Sequence, residues 1–150
     1  MTALKESDYK EEESLAGMKN IYPELKNNPV YLINYGQMLH FSGNYQDAIS
    51  IFQTSNYLLS CYLTNFEMGN CYDKLGKDEK AIMYWQIAAD MIPSRFAPEH
   101  RIIKKLFETG KTAEALEKSA VFLKKEKKID HPAVYEMQEE IKTLIRIHSQ

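Results

Sequence analysis

Long apolar stretches are absent from this sequence of 150 residues. No run of apolar residues is long enough to cross a bilayer, and the N-terminus lacks the hydrophobic core of a signal peptide. We therefore expect a soluble segment that does not insert into a membrane by itself. Its compartment stays open from the sequence: it is either cytoplasmic or tethered at the cell envelope through a membrane domain outside this sequence.

Patterns for metal binding and catalysis are also missing. Cys61 and Cys71 have neither metal-binding nor redox spacing, and the four histidines lie far apart on different segments. There is no Gly-x-Ser-x-Gly motif, no phosphate-binding glycine loop and no His-Glu-x-x-His motif. The sequence therefore predicts two structural thiols, no metal site, no cofactor and no enzymatic activity.

An excess of positive charge is missing as well, since 19 Lys and Arg against 21 Asp and Glu give a net charge of −2. This balance argues against a dedicated nucleic-acid binder. The run from Lys124 to Lys128 is nevertheless basic. It is either a solvated helix end whose cations offset the helix dipole, or a contact for anionic headgroups or phosphate. RNA binding by residues 101–128 is a further hypothesis, which predicts an affinity that falls steeply with salt.

What the sequence does contain is an internal repeat. A pattern of two glycines, an alanine and an aromatic residue occurs twice, and each member of the second copy follows its counterpart in the first by 33 positions. The first copy is Gly36, Gly43, Ala48 and Phe52, and the second is Gly69, Gly76, Ala81 and Trp85. A weaker third copy follows 34 residues after the second, at Gly110 and Ala115. Equal intervals indicate equal structural units.

Each copy has the pattern of two antiparallel helices. Gly76 can take the left-handed conformation that ends a helix, and Pro93 ends the following one. Small residues at Gly69 and Ala81 would let the two helices approach closely, while Trp85 fills the space beside that contact.

This hairpin resembles a tetratricopeptide repeat, a family with a period near 34 residues and the same glycine, alanine and aromatic pattern. The resemblance covers roughly residues 29–122. It implies an all-α fold: a right-handed α-solenoid of tandem helical hairpins with an N-terminal half-repeat and a C-terminal capping helix. Ile103 and Ser119 depart from the pattern, because they stand where the other copies have glycine and an aromatic ring. The packing of the third hairpin is therefore left open.

We predict a single domain, in which the helices follow this repeat. Asp8 is expected to begin the first helix, with residues 1–7 frayed, and Pro23 to interrupt or kink it. The last helix is expected to run from about Pro132 to His148. The predicted segments are a half-repeat (8–28), repeat 1 (29–60), repeat 2 (61–94), a degenerate repeat 3 (95–128) and the capping helix (131–148).

The predicted binding surface is a groove lined by the first helix of each hairpin. Helical phase places one set of residues off the packing stripe and into this groove: Ile33, Asn34, Gln37, His40, Phe41, Phe66, Glu67, Asn70, Asp73, His100, Arg101 and Lys104. Amide side chains can hydrogen-bond an extended peptide, and the apolar members offer anchors. The alternatives are an ordinary wet face, or a groove filled by the protein's own termini.

We therefore expect a non-catalytic scaffold that binds a protein or peptide partner in this groove. A narrower resemblance suggests an alternative. The segments 91–98 and 127–130 look like parts of the soluble C-terminal repeat region of some bacterial O-antigen ligase-like membrane proteins. That resemblance implies an accessory domain of a membrane glycan ligase. No catalytic residue can be assigned to this chain from it, because that family's catalytic residues belong to the membrane part.

Overall fold

The computed structural model describes residues 3–128 and 130–149, with side chains described from Glu13 onward. These residues form eight α-helices and no strand, which confirms the all-α prediction. The helices are α1 (Ala3–Leu25), α2 (Pro29–Phe41), α3 (Tyr45–Leu58), α4 (Tyr62–Lys74), α5 (Asp78–Met91), α6 (Ala97–Glu108), α7 (Thr112–Lys124) and α8 (Pro132–His148). The bounds of α8 agree with the predicted last helix, whereas the limits assigned to the repeats stay predictions.

The helices pack as an α-solenoid of hairpins. The pairs α2–α3, α4–α5 and α6–α7 form the three hairpins, and α3 and α5 each also pack on the first helix of the next hairpin. At the two ends, α1 packs on α2, and α8 packs on both α6 and α7. Ile141 of α8 is fully buried, and Val134, Met137, Leu144 and Ile145 pack against the core. This is the apolar face expected of a capping helix.

Three glycines end the first helices of the hairpins. Gly43, Gly76 and Gly110 have φ values of 80°, 67° and 75°. At the second of these turns, the Lys77 amide donates to the Tyr72 carbonyl at 2.9 Å, which satisfies a helix-end acceptor. The left-handed conformation predicted for Gly76 is therefore confirmed.

Replacing Gly76 by alanine is expected to lower the free energy of unfolding by about 1–2 kcal/mol, because a Cβ atom disfavours this backbone conformation. Urea denaturation of the two proteins measures the difference. Gly76→Asn is the matched control and should lose less, since asparagine tolerates positive φ better than alanine. Equal stability of the parent and the alanine variant would contradict this account of the turn.

The first helix differs from its prediction. It begins at Ala3 rather than at Asp8, so the predicted start is wrong, while residues 1 and 2 lie outside the described part. The expected fraying of residues 1–7 stays a prediction. The segment from Ala3 to Asp8 contains no glycine or proline, and alanine, leucine, lysine and glutamate favour a helix. The helix also continues past Pro23 to Leu25, so Pro23 does not interrupt it.

The glycine and aromatic pairs explain the close packing of the first two hairpins. A Cβ atom built on Gly69 would lie 2.4 Å from Cδ1 of Trp85, and one on Gly36 would lie 2.5 Å from Cε1 of Phe52. The aromatic ring therefore lies directly over the glycine, and the close contact predicted between Gly69 and Ala81 stays a prediction. In the third hairpin, Ile103 and Ser119 are both buried, and the Ser119 hydroxyl donates to the Ala115 carbonyl at 2.6 Å.

Candidate partner-binding surface

The twelve residues predicted for the groove lie on the first helices α2, α4 and α6, and we call this surface the first-helix face. Polar contacts tie each first helix to the next. His40 on α2 bonds Glu67 on α4, with 2.9 Å between Nδ1 and Oε2. Asp73 on α4 pairs with Lys105 on α6 at 2.6 Å, and His100 on α6 bonds Glu140 on α8 at 2.8 Å. Successive first helices are thus held side by side.

A hydrogen-bonded chain runs from the core to this face. The indole Nε1 of Trp85 donates to Oδ1 of Asn70 at 3.0 Å, and Nδ2 of Asn70 donates to Oε2 of Glu67 at 3.3 Å. Glu67 then accepts from Nδ1 of His40, because a carboxylate has no proton to donate. The His40 ring stacks on Phe41 with 5.6 Å between centroids. Four predicted groove residues are therefore brought together.

This chain changes the role of Asn70. The prediction was that its amide would bond a peptide backbone, but the amide already bonds two neighbouring side chains. The indole of Trp85 is nearly fully buried and needs an acceptor for its N–H group. That need was a signal in the sequence, although it does not say which acceptor is used.

Lys105 is an important residue of this surface that the sequence analysis missed. Its ammonium lies 2.6 Å from Asp73, 2.7 Å from Glu108 and 3.5 Å from Asp78. Burial opposes the charged form, but the hydrogen bonds that the ammonium donates to Asp73 and Glu108 outweigh it and raise the pKa of Lys105 above its ordinary value. Lys105 therefore stays charged and joins α6 to α4 and to the start of α5. Helical phase had placed its neighbour Lys104 in the predicted groove and left Lys105 out.

A third group joins α6 to the last helix. His100 is 8% exposed, and its Nε2 donates to Glu140, which also accepts from Lys104 at 2.6 Å. The hydrogen bond from Lys104 lowers the pKa of Glu140, and His100 acts in the same direction. Burial lowers the pKa of His100 itself, despite the opposing effect of Glu140, so the imidazole is neutral near pH 7.

His100 should make the stability of the fold depend on pH. Below its ordinary pKa of 6.5 the unfolded chain binds a proton that the folded chain resists, so the free energy of unfolding falls as pH falls. We expect the parent to lose more stability between about pH 7 and pH 5 than His100→Asn does. Urea denaturation at each pH measures this, and the two proteins differ only at position 100. Parallel pH profiles would contradict the assignment.

Among the described side chains, the remaining members of the predicted set take no part in the hydrogen bonds and ion pairs of these three groups. Asn34 and Arg101 are exposed, and Phe41 is 79% exposed beside His40. Ile33, Gln37 and Phe66 are half-buried. The Phe66 ring stacks on Tyr62 with 5.8 Å between centroids. These six residues give the first-helix face its accessible amide, apolar and cationic side chains: Ile33, Asn34, Gln37, Phe41, Phe66 and Arg101.

Metal ligands, the buried thiol and the length of apolar helices can each be described for this part of the chain. No group of three or more His, Cys, Asp and Glu side chains in this part of the chain is placed to hold a metal ion. Cys71 is fully buried, and burial raises the pKa of its thiol to about 12, so it stays protonated at neutral pH. Among the helices described, none has both the length and the apolar character needed to span a bilayer.

Comparison with solved structures identifies the fold. SycD of Yersinia enterocolitica, in complex with a peptide of the translocator YopD, matches with a TM-score of 0.69 and 20% identity over 77% of this chain and 88% of SycD. MamA matches with a TM-score of 0.72 and 15% identity over 97% of this chain and 92% of MamA.

PcrH of Pseudomonas aeruginosa, in complex with the chaperone-binding region of PopB, matches with a TM-score of 0.65 and 18% identity over 77% of this chain and 93% of PcrH. No protein-family model matches the chain, and no curated protein matches it. None of the three structures supports the narrower resemblance to O-antigen ligase-like proteins. The chain has a helical-repeat fold like that of tetratricopeptide repeat proteins.

Proposed function

We propose that this protein is a non-catalytic interaction scaffold that binds a segment of a partner protein on the first-helix face. The observation that carries the proposal is that the side chains which join the helices and the side chains which remain accessible form two separate sets on that face. Ion pairs and hydrogen bonds hold the helices together through one set of side chains, namely His40, Glu67, Asn70, Asp73, His100 and Lys104. The accessible set described above stays available to a partner.

The chemistry of the accessible set suits a peptide. Asn34 and Gln37 can donate to and accept from a peptide backbone, while Ile33 and Phe66 offer apolar anchors beside them. Two of the similar structures support the proposal, since SycD is in complex with a YopD peptide and PcrH with a region of PopB. At this low sequence identity the similarity shows a common fold but does not identify a common partner. The partner of this chain is therefore defined only by its chemistry.

Site-specific photo-crosslinking in the source cell tests the proposal. A photoreactive amino acid is placed at Asn34 or Arg101, both exposed on the first-helix face. The matched controls are Gln53 and Glu117, which are exposed on second helices. We expect both first-helix positions to capture the same partner and the controls to capture little of it. Equal capture by all four positions, or none at Asn34 and Arg101, would contradict the proposed site.

The captured segment then allows a direct measurement. A synthetic peptide of that segment is titrated against the parent and against Ile33→Asp, which places a charge among the apolar anchors. We expect the variant to bind at least about tenfold more weakly while it unfolds at nearly the same temperature, because Ile33 is only half-buried. Unchanged affinity would place the binding site elsewhere.

A further inference from the structure

One edge of the solenoid carries the segments that connect each second helix to the next first helix. Contacts link these connectors across the molecule. Ser55 lies in α3, two residues before the second connector, and its hydroxyl donates to the Pro29 carbonyl at 3.4 Å. The guanidinium of Arg95 lies 5.5 Å from the Tyr62 ring centre, and Lys125 Nζ donates to the Arg95 carbonyl at 2.8 Å. We call this continuous surface the connector edge, formed by residues 26–30, 57–62, 91–96 and 124–131, with Ile129 outside the described part.

The N-terminal half of the connector edge exposes apolar side chains. Tyr57, Leu58 and Leu59 are consecutive and are 91%, 40% and 59% exposed, and Val30 is 67% exposed. Met91, on the next connector, is 42% exposed. Single exposed apolar residues are ordinary, but three in a row beside two others mark a surface that meets something apolar.

The connector edge is also positively charged, although the whole chain is slightly negative. It holds six of the 19 Lys and Arg residues but only two of the 21 Asp and Glu residues. Part of this charge is engaged, since Lys125 pairs with Glu99 and Lys127 lies 3.7 Å from the Tyr135 ring centre. Lys26, Lys124 and Lys128 are exposed.

We propose that the connector edge docks on the surface of an anionic lipid bilayer. Tyr57 and Leu59 would enter the boundary between headgroups and acyl chains, and the lysines would contact the anionic headgroups. Burial of apolar side chains and attraction of cations act together in such peripheral binding. Tyrosine suits this boundary because its ring is apolar and its hydroxyl stays wet.

Most of the positive charge on the connector edge comes from lysine, and lysine favours a bilayer over other partners. Lysine is depleted at protein–protein interfaces, whereas its long side chain can lie along an apolar surface while the ammonium stays among headgroups. A nucleic acid would select for positive charge over the whole domain, but the net charge here is −2. The connector edge is distinct from the first-helix face, so this docking does not depend on the partner proposed above.

Vesicle flotation of the full chain tests the proposal without any variant. Vesicles of phosphatidylcholine alone are compared with vesicles of equimolar phosphatidylcholine and phosphatidylglycerol. We expect the protein to float with the anionic vesicles only, and to be released as salt is raised, because salt screens the headgroup attraction. Absence of flotation with the anionic vesicles, or equal flotation with both kinds, would overturn the proposal.

Two variants assign the binding to the connector edge. One carries Tyr57→Asp and Leu59→Asp, and the other carries Lys124→Glu, Lys127→Glu and Lys128→Glu. Each should lower the partition onto anionic vesicles more than about tenfold. The matched control alters the opposite edge, which carries the turns within the hairpins. It combines Leu75→Asp with Lys74→Glu, Lys77→Glu and Lys111→Glu, at an exposed leucine and three exposed lysines. This control should retain binding.

Other occupants give distinct outcomes. If the apolar residues instead join two copies of the chain, the parent sediments as a dimer, Tyr57→Asp with Leu59→Asp restores a monomer, and neither protein floats. If the lysines instead bind RNA, a mobility shift at low salt is seen without flotation. Equal loss of flotation in the control variant would also overturn the assignment. Thermal melting of each variant confirms that it is folded before flotation is interpreted.

Discussion

Replacing Trp85 by alanine is expected to lower the free energy of unfolding by about 3–5 kcal/mol, because the change leaves a large cavity between α4 and α5. Trp85 is 1% exposed, and its ring covers Gly69. The change also removes the donor that bonds Asn70. Urea denaturation followed by circular dichroism measures the loss. Met83→Ala is the control on the same helix, since Met83 is 48% exposed and should change stability little.

A phenylalanine at position 85 separates the two contributions of the tryptophan. Trp85→Phe keeps an aromatic ring over Gly69 but removes the N–H group that donates to Asn70. We expect it to be more stable than Trp85→Ala and less stable than the parent. If Trp85→Ala instead melts like Met83→Ala, the indole is not the packing element of this hairpin.

Adding a single methyl group at position 69 is expected to cost about 1–3 kcal/mol, through overpacking against a buried ring. In Gly69→Ala the new Cβ atom would lie 2.4 Å from the Trp85 ring, so the helices or the ring must shift. Because alanine favours a helix more than glycine does, helix propensity alone would raise the free energy of unfolding. A decrease would therefore point to overpacking. Gly17→Ala is the matched control, because Gly17 lies in α1 and a Cβ atom there meets nothing within 4 Å. That control should gain about 0.5–1 kcal/mol.

The two changes can be combined to show that they act on the same contact. In the background of Trp85→Ala the ring is gone, so Gly69→Ala should become neutral or stabilising. The difference from its effect in the parent is the coupling energy between positions 69 and 85. Additive effects would indicate that the alanine at position 69 destabilises the fold for another reason.

The repeat could be predicted from the sequence because each residue that marks a helix end or a close helix contact acts locally. A glycine that ends a helix and a glycine beneath an aromatic ring each depend on a residue type at one position, and the 33-residue interval makes them recur. The first helix was harder to delimit. Asp8 has the residue type of a helix cap, but nothing before it interrupts a helix, so α1 begins five residues earlier, at Ala3.

The polar pairs of the first-helix face could not be predicted in the same way. His40 and Glu67 are 27 residues apart, and whether they meet depends on the rotation of two helices about their own axes. Helical phase placed both on the face but did not pair them. The same limit explains why Lys105 was passed over, although Asp73, its partner, was among the predicted residues. The sequence predicts which helices carry the face, and three-dimensional packing decides which of its side chains remain accessible.

The order of packing along the chain has a consequence for how the protein is made. Each helix from α1 to α7 packs mainly on the helices next to it in sequence, and α8 packs on α6 and α7, so few contacts join parts of the chain that are far apart in sequence. Low contact order favours rapid folding, and domains of this kind can begin to fold during synthesis. The hairpin α2–α3 can therefore form while α8 is still inside the ribosome. Its exposed apolar flank is then covered by α4 as translation proceeds.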